Sequence, residues 1–406
     1  MNDEFGTMMV DWEERINFAR LRRDRVRKAQ QAIAKSEADV LFVFRTEDAR
    51  YLTAYRHHLG PAVVIGNATV VLTAEDAPIL FTMDQEHCRA RNPWLEKDQI
   101  QPRANFRELA GVQEFTGRVQ RLLGSLDGKT IGVDIYSPGM AERLAAAFPR
   151  SRFIEGYDIL LQAKQIKTED EIFCLKIANA MTEAAMDAAL RFLKPGVREC
   201  EVLAVAWKTM TDMGSEWTQC SNIVASGPYT APYRRFTSDR IIRFGDMVII
   251  DIGACFNGYY GDFTRTWICG DIVPTPQQVE VHQQCYDALH RGAAACVPGN
   301  TNAQVVEAAG EEYVLSSLGH GSGLNPWEPP HFSITSKLDP MLLQENMVAN
   351  LEPYFGKPGT GGVRLEHDLV IRAGGPEIYT TYPFDKRLLQ DVHALDTTTG
   401  RVISRP

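Results

Sequence analysis

Two aspartates flank a predicted β-hairpin in the second half of the chain. Asp251 ends the apolar run that starts at Met247, and Asp262 opens the next β-type run after an Asn257-Gly258 turn. At a separation of about 4 Å and an effective dielectric of about 20, these carboxylates repel by roughly 4 kcal/mol unless a proton or cation intervenes. The pattern is typical either of a cation site or of two solvated aspartates at a hairpin end.

The same pairing recurs further along, where Glu352 ends one apolar run and Glu366 follows the next turn. Each pair comes after a predicted helix, a Pro-Gly pair, a second predicted helix and a glycine. We interpret both stretches as copies of one α-α-β-hairpin unit, with chance recurrence of common elements as the alternative. The predicted helices cover residues 168–193, about 198–213, 276 to Pro298-Gly299, and near Thr301 to Gly319.

If the two copies pack about a pseudo-twofold axis, four carboxylates meet, and two divalent cations would cancel their charge. His320 lies between the hairpins, and its flanking glycines permit close backbone approach to a metal; an ordinary loop histidine is the alternative. An oxygen-rich set with one imidazole and no thiolate favours two Mn²⁺ ions, with Co²⁺ and Zn²⁺ as further candidates. Such a pair suits hydrolysis of an amide. The proposed ligands are Asp251, Asp262, His320, Glu352 and Glu366.

The first 160 residues or so alternate predicted strands and helices, as in a small α/β domain. Residues 11–35 and 107–124 are predicted helices, and we place the domain boundary between 163 and 164. The predicted domains are therefore 1–163 and 164–406. Predicted strands cover residues 41–44, 51–53, 62–65, 69–73, 79–82 and 130–134.

Composition narrows the class of protein. The 406 residues are 44% hydrophobic and 23% charged, which is ordinary for a soluble enzyme. A net charge of −9 argues against nucleic acid or an anionic membrane as the main partner. Eight cysteines without a CxxC motif fit reduced thiols. Because the N-terminus lacks a signal pattern and no apolar run would span a bilayer, we predict a cytoplasmic protein.

With these motifs the sequence resembles the pita-bread metallohydrolases, a family that includes methionine aminopeptidase, Xaa-Pro aminopeptidase, prolidase and creatinase. The resemblance covers nearly the whole chain. It implies a creatinase-type α/β N-terminal domain over 1–163 and an α+β pita-bread catalytic domain with an internal pseudo-twofold duplication over 164–406. The matching motifs are Gly245-Asp246, Ile250-Asp251-Ile252-Gly253, Gly261–Thr266, Gly319-His320-Gly321, Leu351-Glu352-Pro353 and Gly362–Glu366.

The resemblance also implies roles for the five ligands. Asp262 and Glu366 would bridge two metals, Asp251 would bind one of them, and His320 and Glu352 would bind the other. Glu352 would in addition shuttle a proton from the attacking water. By the same analogy we predict a homodimer in which the N-terminal domain walls the partner's active site, with Arg56–His58 as the candidate segment.

Histidines usual in the family's peptidases are replaced here. Tyr233 follows Pro232 where a substrate-side histidine is expected, Trp327 precedes Glu328 where another is expected, and Ser316 stands four residues before His320. In relatives these histidines bind the scissile carbonyl and handle protons. Their absence argues against ordinary peptidase activity, whereas it leaves the metal chemistry intact. His331 is a candidate to compensate, and a surface-loop role is the alternative.

These replacements predict that aromatic side chains line part of the substrate pocket. Tyr229, Tyr233 and Trp327 could attract quaternary ammonium, sulfonium or guanidinium groups through cation–π contacts, or merely pack the pocket. With His331 and Arg364 they are the predicted substrate contacts. The favoured function is a two-metal hydrolase of the Xaa-Pro peptidase type, cleaving a dipeptide or the N-terminal bond of a short peptide. The alternatives are a hydrolase or lyase acting on a small amide, guanidino or onium zwitterion, and a scaffold with a dead site.

Overall fold

A computed structural model of the chain describes residues 16–56, 68–218 and 222–390. Its contacts divide the chain into two compact units, Met1–Asp170 and Glu171–Pro406. Among the described residues, no helix has both the length and the apolarity to cross a membrane.

The first unit is a six-stranded mixed sheet with helices, in the strand order β4-β3-β2-β1-β5-β6. Strands β1–β2 and β2–β3 pair antiparallel, whereas β1–β5, β5–β6 and β3–β4 pair parallel. An aromatic cluster fills its core, with Phe42 packed edge-on against Phe115 at 5.3 Å between ring centroids. Its elements are α1 (Phe18–Ala34), β1 (Val40–Val43), α2 (Thr46–Thr53), β2 (Ala68–Thr73), β3 (Ile79–Thr82), α3 (Gln85–Arg91), β4 (Ile100–Pro102), α4 (Leu109–Leu123), β5 (Thr130–Val133), α5 (Pro138–Ala147), β6 (Arg152–Glu155) and α6 (Tyr157–Gln165).

The predicted α/β class of this unit is confirmed, and one predicted strand is wrong. Residues 51–53 belong to helix α2, whose first turn carries Glu47 and Asp48, where acidic side chains favour a helix start. Its buried face includes Tyr51 and Leu52, so the short apolar run belongs to a helix face. The predicted strand 62–65 lies outside the described residues.

The second unit contains two sheets, β11-β8-β7 and β13-β12-β14-β17-β18, and two short ribbons, β9–β10 and β15–β16. Its elements are α7 (Glu169–Phe192), α8 (Glu199–Asp212), β7 (Ile223–Ser226), β8 (Met247–Ile252), β9 (Cys255–Phe256), β10 (Tyr259–Tyr260), β11 (Phe263–Ile268), α9 (Pro276–Ala295), α10 (Asn302–Ala309), β12 (Gly319–Gly321), β13 (Glu328–Phe332), β14 (Val348–Leu351), β15 (Tyr354–Lys357), β16 (Gly361–Arg364), β17 (His367–Val370) and β18 (Glu377–Ile378).

Each sheet of this unit repeats one pattern of strand, ribbon and strand. Strand β8 pairs antiparallel with β11 and the ribbon β9–β10 lies between them in sequence, while β14 and β17 enclose the ribbon β15–β16 in the same way. Helices α7 and α8 share a core with β8, and α9 and α10 share another with β14 and β17. The predicted Asn257-Gly258 turn is present, with φ of 50° and 82°.

One predicted helix is too long. The helix expected to run from near Thr301 to Gly319 ends at Ala309, because Gly310 takes a φ of 107° that an α-helix does not continue. The chain then makes a 3₁₀ turn and enters β12 at Gly319. This early stop lets the segment that carries His320 join the sheet as a strand.

Candidate metal centre

The four predicted carboxylate ligands lie at the ends of strands from both copies of the repeat. Asp251 lies near the end of β8 and Asp262 directly precedes β11; Glu352 directly follows β14 and Glu366 directly precedes β17. His320 is the middle residue of β12, which pairs with β14. The backbone N–H of Glu366 donates to the Thr264 carbonyl at 3.1 Å, so the two copies are hydrogen-bonded to each other at this point.

The structure brings these side chains together. Ligand oxygens of Asp251, Asp262 and Glu366 all lie within 4.8 Å of one another. His320 Nε2 lies 3.8 Å from Asp262 Oδ2 and 3.8 Å from Glu352 Oε1. All five residues are buried. Four carboxylates and one imidazole therefore share a single site.

Burial makes the charges at this site costly. It raises the pKa of Asp262 and Glu366 well above the ordinary carboxyl value, and neighbouring carboxylates raise it further. Among the described residues, Glu366 Oε1 is buried without a hydrogen-bond partner. Because a buried acceptor normally has a partner, this oxygen fits a cation ligand. The donor set thus suits hard divalent cations.

His320 is prepared to bind a cation. Its Nδ1 lies 3.0 Å from the Gly321 carbonyl, which can only accept, so Nδ1 carries the proton and donates it. The Nε2 lone pair is then left facing Asp262 and Glu352. Burial lowers the pKa of His320 to about 4, so the imidazole is neutral at pH 7, as a metal ligand must be.

Arg364 places a positive charge among the acids. Its Nη1 lies 3.2 Å from Asp251 Oδ2, and its Nη2 pairs with Glu352 Oε2. The side chain is only 3% exposed, so this guanidinium belongs to the carboxylate cluster. The sequence analysis predicted that Arg364 contacts substrate and did not predict this ion pairing. The position of Arg364 two residues before Glu366 indicated it, because residues two apart share one face of an extended strand.

Tyr233 also belongs to the centre. Its hydroxyl donates to Asp251 Oδ2 at 3.2 Å, and its ring stacks on Tyr354 at 5.7 Å between centroids. Burial raises the pKa of this phenol, which therefore keeps its proton and acts as a hydrogen-bond donor. The residue at the position of an expected histidine thus binds a predicted metal ligand.

A cavity of about 310 Å³ opens above the cluster. His331 and the half-exposed Trp327 both line it, and the Trp327 ring packs edge-on against His320 at 6.4 Å. His331 belongs to strand β13, directly opposite His320 in the register, rather than to a loop. The other described residues of the rim are Arg234, Ser316 and Ser317.

The structure does not bring Tyr229 to this site. Tyr229 lines a separate cavity of about 650 Å³, where the Arg235 guanidinium lies 4.1 Å from its ring. Arg235 is held there by an ion pair with the buried Glu199 at 2.6 Å. Of the predicted aromatic wall only Trp327 faces the cavity, since Tyr233 is buried beneath it. This geometry weighs against recognition of an onium group by several rings.

Family models match both units. Residues 174–373 match metallopeptidase family M24, and residues 25–163 match the Creatinase/Prolidase N-terminal domain. The chain belongs to metallopeptidase family M24. The resemblance to the pita-bread metallohydrolases, the predicted fold class and the prediction of a metallopeptidase-type hydrolase are thereby confirmed.

Individual relatives agree with this family. The chain is 27% identical over 367 residues to the Xaa-Pro dipeptidase of Pyrococcus furiosus, covering 88% of this chain and 98% of the relative. Among solved structures, the Xaa-Pro dipeptidase from Bacillus anthracis superposes with a TM-score of 0.75 at 25% identity, covering 89% of this chain and 98% of that one. The prolidase from Pyrococcus horikoshii OT3 superposes with a TM-score of 0.75 at 26% identity, and the match covers 89% of this chain and 99% of that one.

Proposed function

We propose that this M24 metallopeptidase is a dinuclear hydrolase of the Xaa-Pro peptidase type. It would cleave a dipeptide or the N-terminal bond of a short peptide. The observation that carries the proposal is the convergence of four carboxylates and His320 at the floor of a cavity of about 310 Å³. A cavity of that size matches a small ligand. The Xaa-Pro dipeptidase and prolidase relatives support the choice of substrate.

Charge supports a pair of divalent ions. The four carboxylates carry four negative charges, of which Arg364 balances one. One divalent ion would leave the cluster negative, whereas two would leave it slightly positive and ready for a peptide carbonyl oxygen. We assign two Mn²⁺ ions because the donors are mostly hard oxygen. Asp251, Asp262, His320, Glu352 and Glu366 would hold the two ions.

When bound, the metal pair supplies Lewis-acid activation of the carbonyl and lowers the pKa of water. Glu352 would hold the proton taken from that water and pass it to the leaving nitrogen. The ion pair of Arg364 with Glu352 Oε2 fixes the carboxylate in orientation, and Oε1 then faces His320.

Substrate contacts would come from the rim. His331 and Trp327 lie above the cluster, and burial lowers the pKa of His331, which keeps its imidazole neutral at pH 7. A neutral imidazole can donate one hydrogen bond to a substrate carbonyl. His331 would thereby take over part of the role that histidines serve at the positions of Tyr233 and Trp327 in relatives. Arg364 would act through Glu352 rather than by touching substrate.

Hydrolysis of Xaa-Pro dipeptides tests the proposal. Mn²⁺-loaded protein is expected to release free proline from such dipeptides, and Glu352→Gln should lower kcat by about 100-fold or more, because general acid–base catalysis contributes that range. Glu280→Gln, a surface substitution whose acid pairs with Lys357, is the matched control. A protein with full metal occupancy that cleaves none of these dipeptides would sink the proposal.

The setting of the enzyme is part of the same proposal. We infer a cytoplasmic homodimer that acts on small peptides without nucleic-acid or membrane partners, as the acidic charge and the family resemblance suggest. Of the segment expected to wall the partner's active site, His57 and His58 lie outside the described residues. A sedimentation experiment that finds only monomer at micromolar concentration would overturn the dimer.

A further inference from the structure

A buried arginine lies behind the metal centre, on the face of strand β11 that points away from the ligands. Arg265 is fully shielded from solvent, and successive residues of a strand point to opposite faces. Its neighbour Thr264 faces the cluster, where the hydroxyl donates to Glu366 Oε2 at 3.0 Å. A buried charge is costly unless hydrogen bonds offset it, and the proposed hydrolysis makes no use of this one.

The hydrogen bonds of the Arg265 guanidinium end on main-chain carbonyl oxygens. Nη1 donates to the Thr264 carbonyl at 3.0 Å and to the Glu366 carbonyl at 2.6 Å. Nε and Nη2 both donate to the Tyr382 carbonyl, at 3.1 and 2.7 Å. In the part of the chain that the structure describes, this guanidinium forms no ion pair with a carboxylate. Its donors therefore join three segments of main chain.

Two of these carbonyls belong to different copies of the repeat. Thr264 lies in β11 of the first copy, two residues after Asp262, and Glu366 directly precedes β17 of the second. The Glu366 N–H donates to the Thr264 carbonyl at 3.1 Å. With the bond from Arg265, the N–H, the carbonyl and one carboxylate oxygen of Glu366 are all held. Oε1 is left without a partner among the described residues, so it is the oxygen free for a cation.

The third carbonyl, that of Tyr382, lies on a segment fixed to helix α7. Glu183 of this helix accepts hydrogen bonds from the Thr381 hydroxyl at 2.8 Å and from the Tyr382 N–H at 2.9 Å. The Tyr382 hydroxyl donates to Asp187 of the same helix at 3.2 Å. The far side of the guanidinium is thus anchored outside the two hairpins that carry the carboxylates.

We propose that Arg265 is a positioning residue that sets the place of Glu366 for metal binding and joins the two copies of the repeat at the centre. This inference rests on the proposed dinuclear site. Without these hydrogen bonds the main chain at Glu366 could shift against the strand that follows Asp262. The carboxylates would then lose the close spacing that a metal site needs. Groups that orient metal ligands commonly change metal affinity by about 10- to 100-fold when they are removed.

Titration calorimetry with Mn²⁺ on folded protein tests this role. Arg265→Met should bind Mn²⁺ about 10- to 100-fold more weakly than wild type and retain fewer than two ions per chain once excess ion is removed. Arg265→Lys keeps the charge but lacks the planar fork that reaches three carbonyls at once, so it should recover only part of the affinity. Circular dichroism and the midpoint of thermal unfolding establish that each variant is folded during the titration.

The matched control is Arg387→Met. The Arg387 guanidinium also donates to main-chain carbonyls at the end of β11, those of Ile268 and Gly270, at 2.8 and 2.6 Å. It pairs in addition with Asp385, and none of these contacts involves a proposed ligand. Arg387→Met should therefore lower the midpoint of thermal unfolding, as Arg265→Met does, and still bind Mn²⁺ as wild type does.

A folded Arg265→Met variant that binds two Mn²⁺ ions with wild-type affinity would overturn the inference, and so would an equal loss of affinity in Arg387→Met. Full wild-type affinity in Arg265→Lys would also overturn it, because charge alone would then suffice; this variant decides the matter if Arg265→Met does not fold. Wild-type protein without stoichiometric Mn²⁺ would overturn both this inference and the proposed function. Wild-type protein that binds two ions but cleaves no dipeptide would count against the proposed function alone.

Discussion

Asp251 is held by two neighbouring side chains, the hydroxyl of Tyr233 and the guanidinium of Arg364, both 3.2 Å from Oδ2. Both contacts fix the orientation of a proposed metal ligand before any cation arrives. Groups that orient ligands in this way commonly change metal affinity or activity by 10- to 100-fold when they are removed. Tyr233, which stands where a histidine is expected, therefore supports a proposed metal ligand.

Removing one hydroxyl tests that role. Tyr233→Phe should weaken Mn²⁺ binding by about 10-fold, because Asp251 loses a hydrogen bond that orients it. The ring can still stack on Tyr354, so the midpoint of thermal unfolding should move little. Titration calorimetry with Mn²⁺ measures the change. The matched control is Tyr354→Phe, whose hydroxyl bonds the Thr230 carbonyl at 2.8 Å and contacts no proposed ligand; equal effects from both variants would contradict the role.

At the scale of elements, the strand pairings could be predicted because each copy of the repeat carries strong local signals. Apolar runs and the Asn257-Gly258 turn predicted the two hairpins in order, whereas the strand β12 around His320 was not predicted, because the sequence favoured a helix up to Gly319. The ends of helices were harder to predict. Gly310 ends α10 by its φ, and nothing in the sequence distinguishes it from Gly319 as the stop. The side-chain direction of Tyr229 depends on the Arg235–Glu199 ion pair, which spans 36 positions of sequence.

Helix α9 carries a buried histidine with a predictable effect of pH. Burial lowers the pKa of His282 from 6.5 to about 4, so the folded protein binds fewer protons there than the unfolded chain. The buried, neutral His282 therefore contributes fully to the free energy of unfolding above about pH 6.5. This contribution is lost as the pH falls toward 4, because the unfolded chain takes up the proton first. A shift of this size corresponds to about 3 kcal/mol.

Substitution of His282 by leucine should remove that part of the acid sensitivity. Calorimetric melting between pH 4.5 and 7 is expected to show a flatter pH dependence in His282→Leu than in wild type. The slope that remains should combine the effect of His320 and His367, whose pKa values burial lowers, with the opposite effect of Asp262 and Glu366, whose pKa values it raises. The exposed His87→Leu serves as the control and should melt like wild type at every pH. An unchanged slope in His282→Leu would refute the assignment.

At the scale of the molecule, the second unit builds one site from two halves. Each copy of the repeat ends in a pair of carboxylates, and neither copy alone supplies enough ligands for two ions. Folding therefore concentrates four acids that repel one another in a buried space, where Arg364 pairs with two of them. Cation binding to the folded state alone should stabilise it by mass action, by about 2.7 kcal/mol at a hundredfold excess over Kd.

Counting the bound metal tests the central claim most directly. Protein loaded with Mn²⁺ and freed of excess ion should retain two ions per chain by elemental mass spectrometry. Glu366→Gln should retain fewer, because it removes one of the proposed carboxylate ligands, whereas Glu280→Gln should retain two. Wild-type protein that retains no stoichiometric metal, or a Glu366→Gln variant that binds as wild type does, would contradict the account.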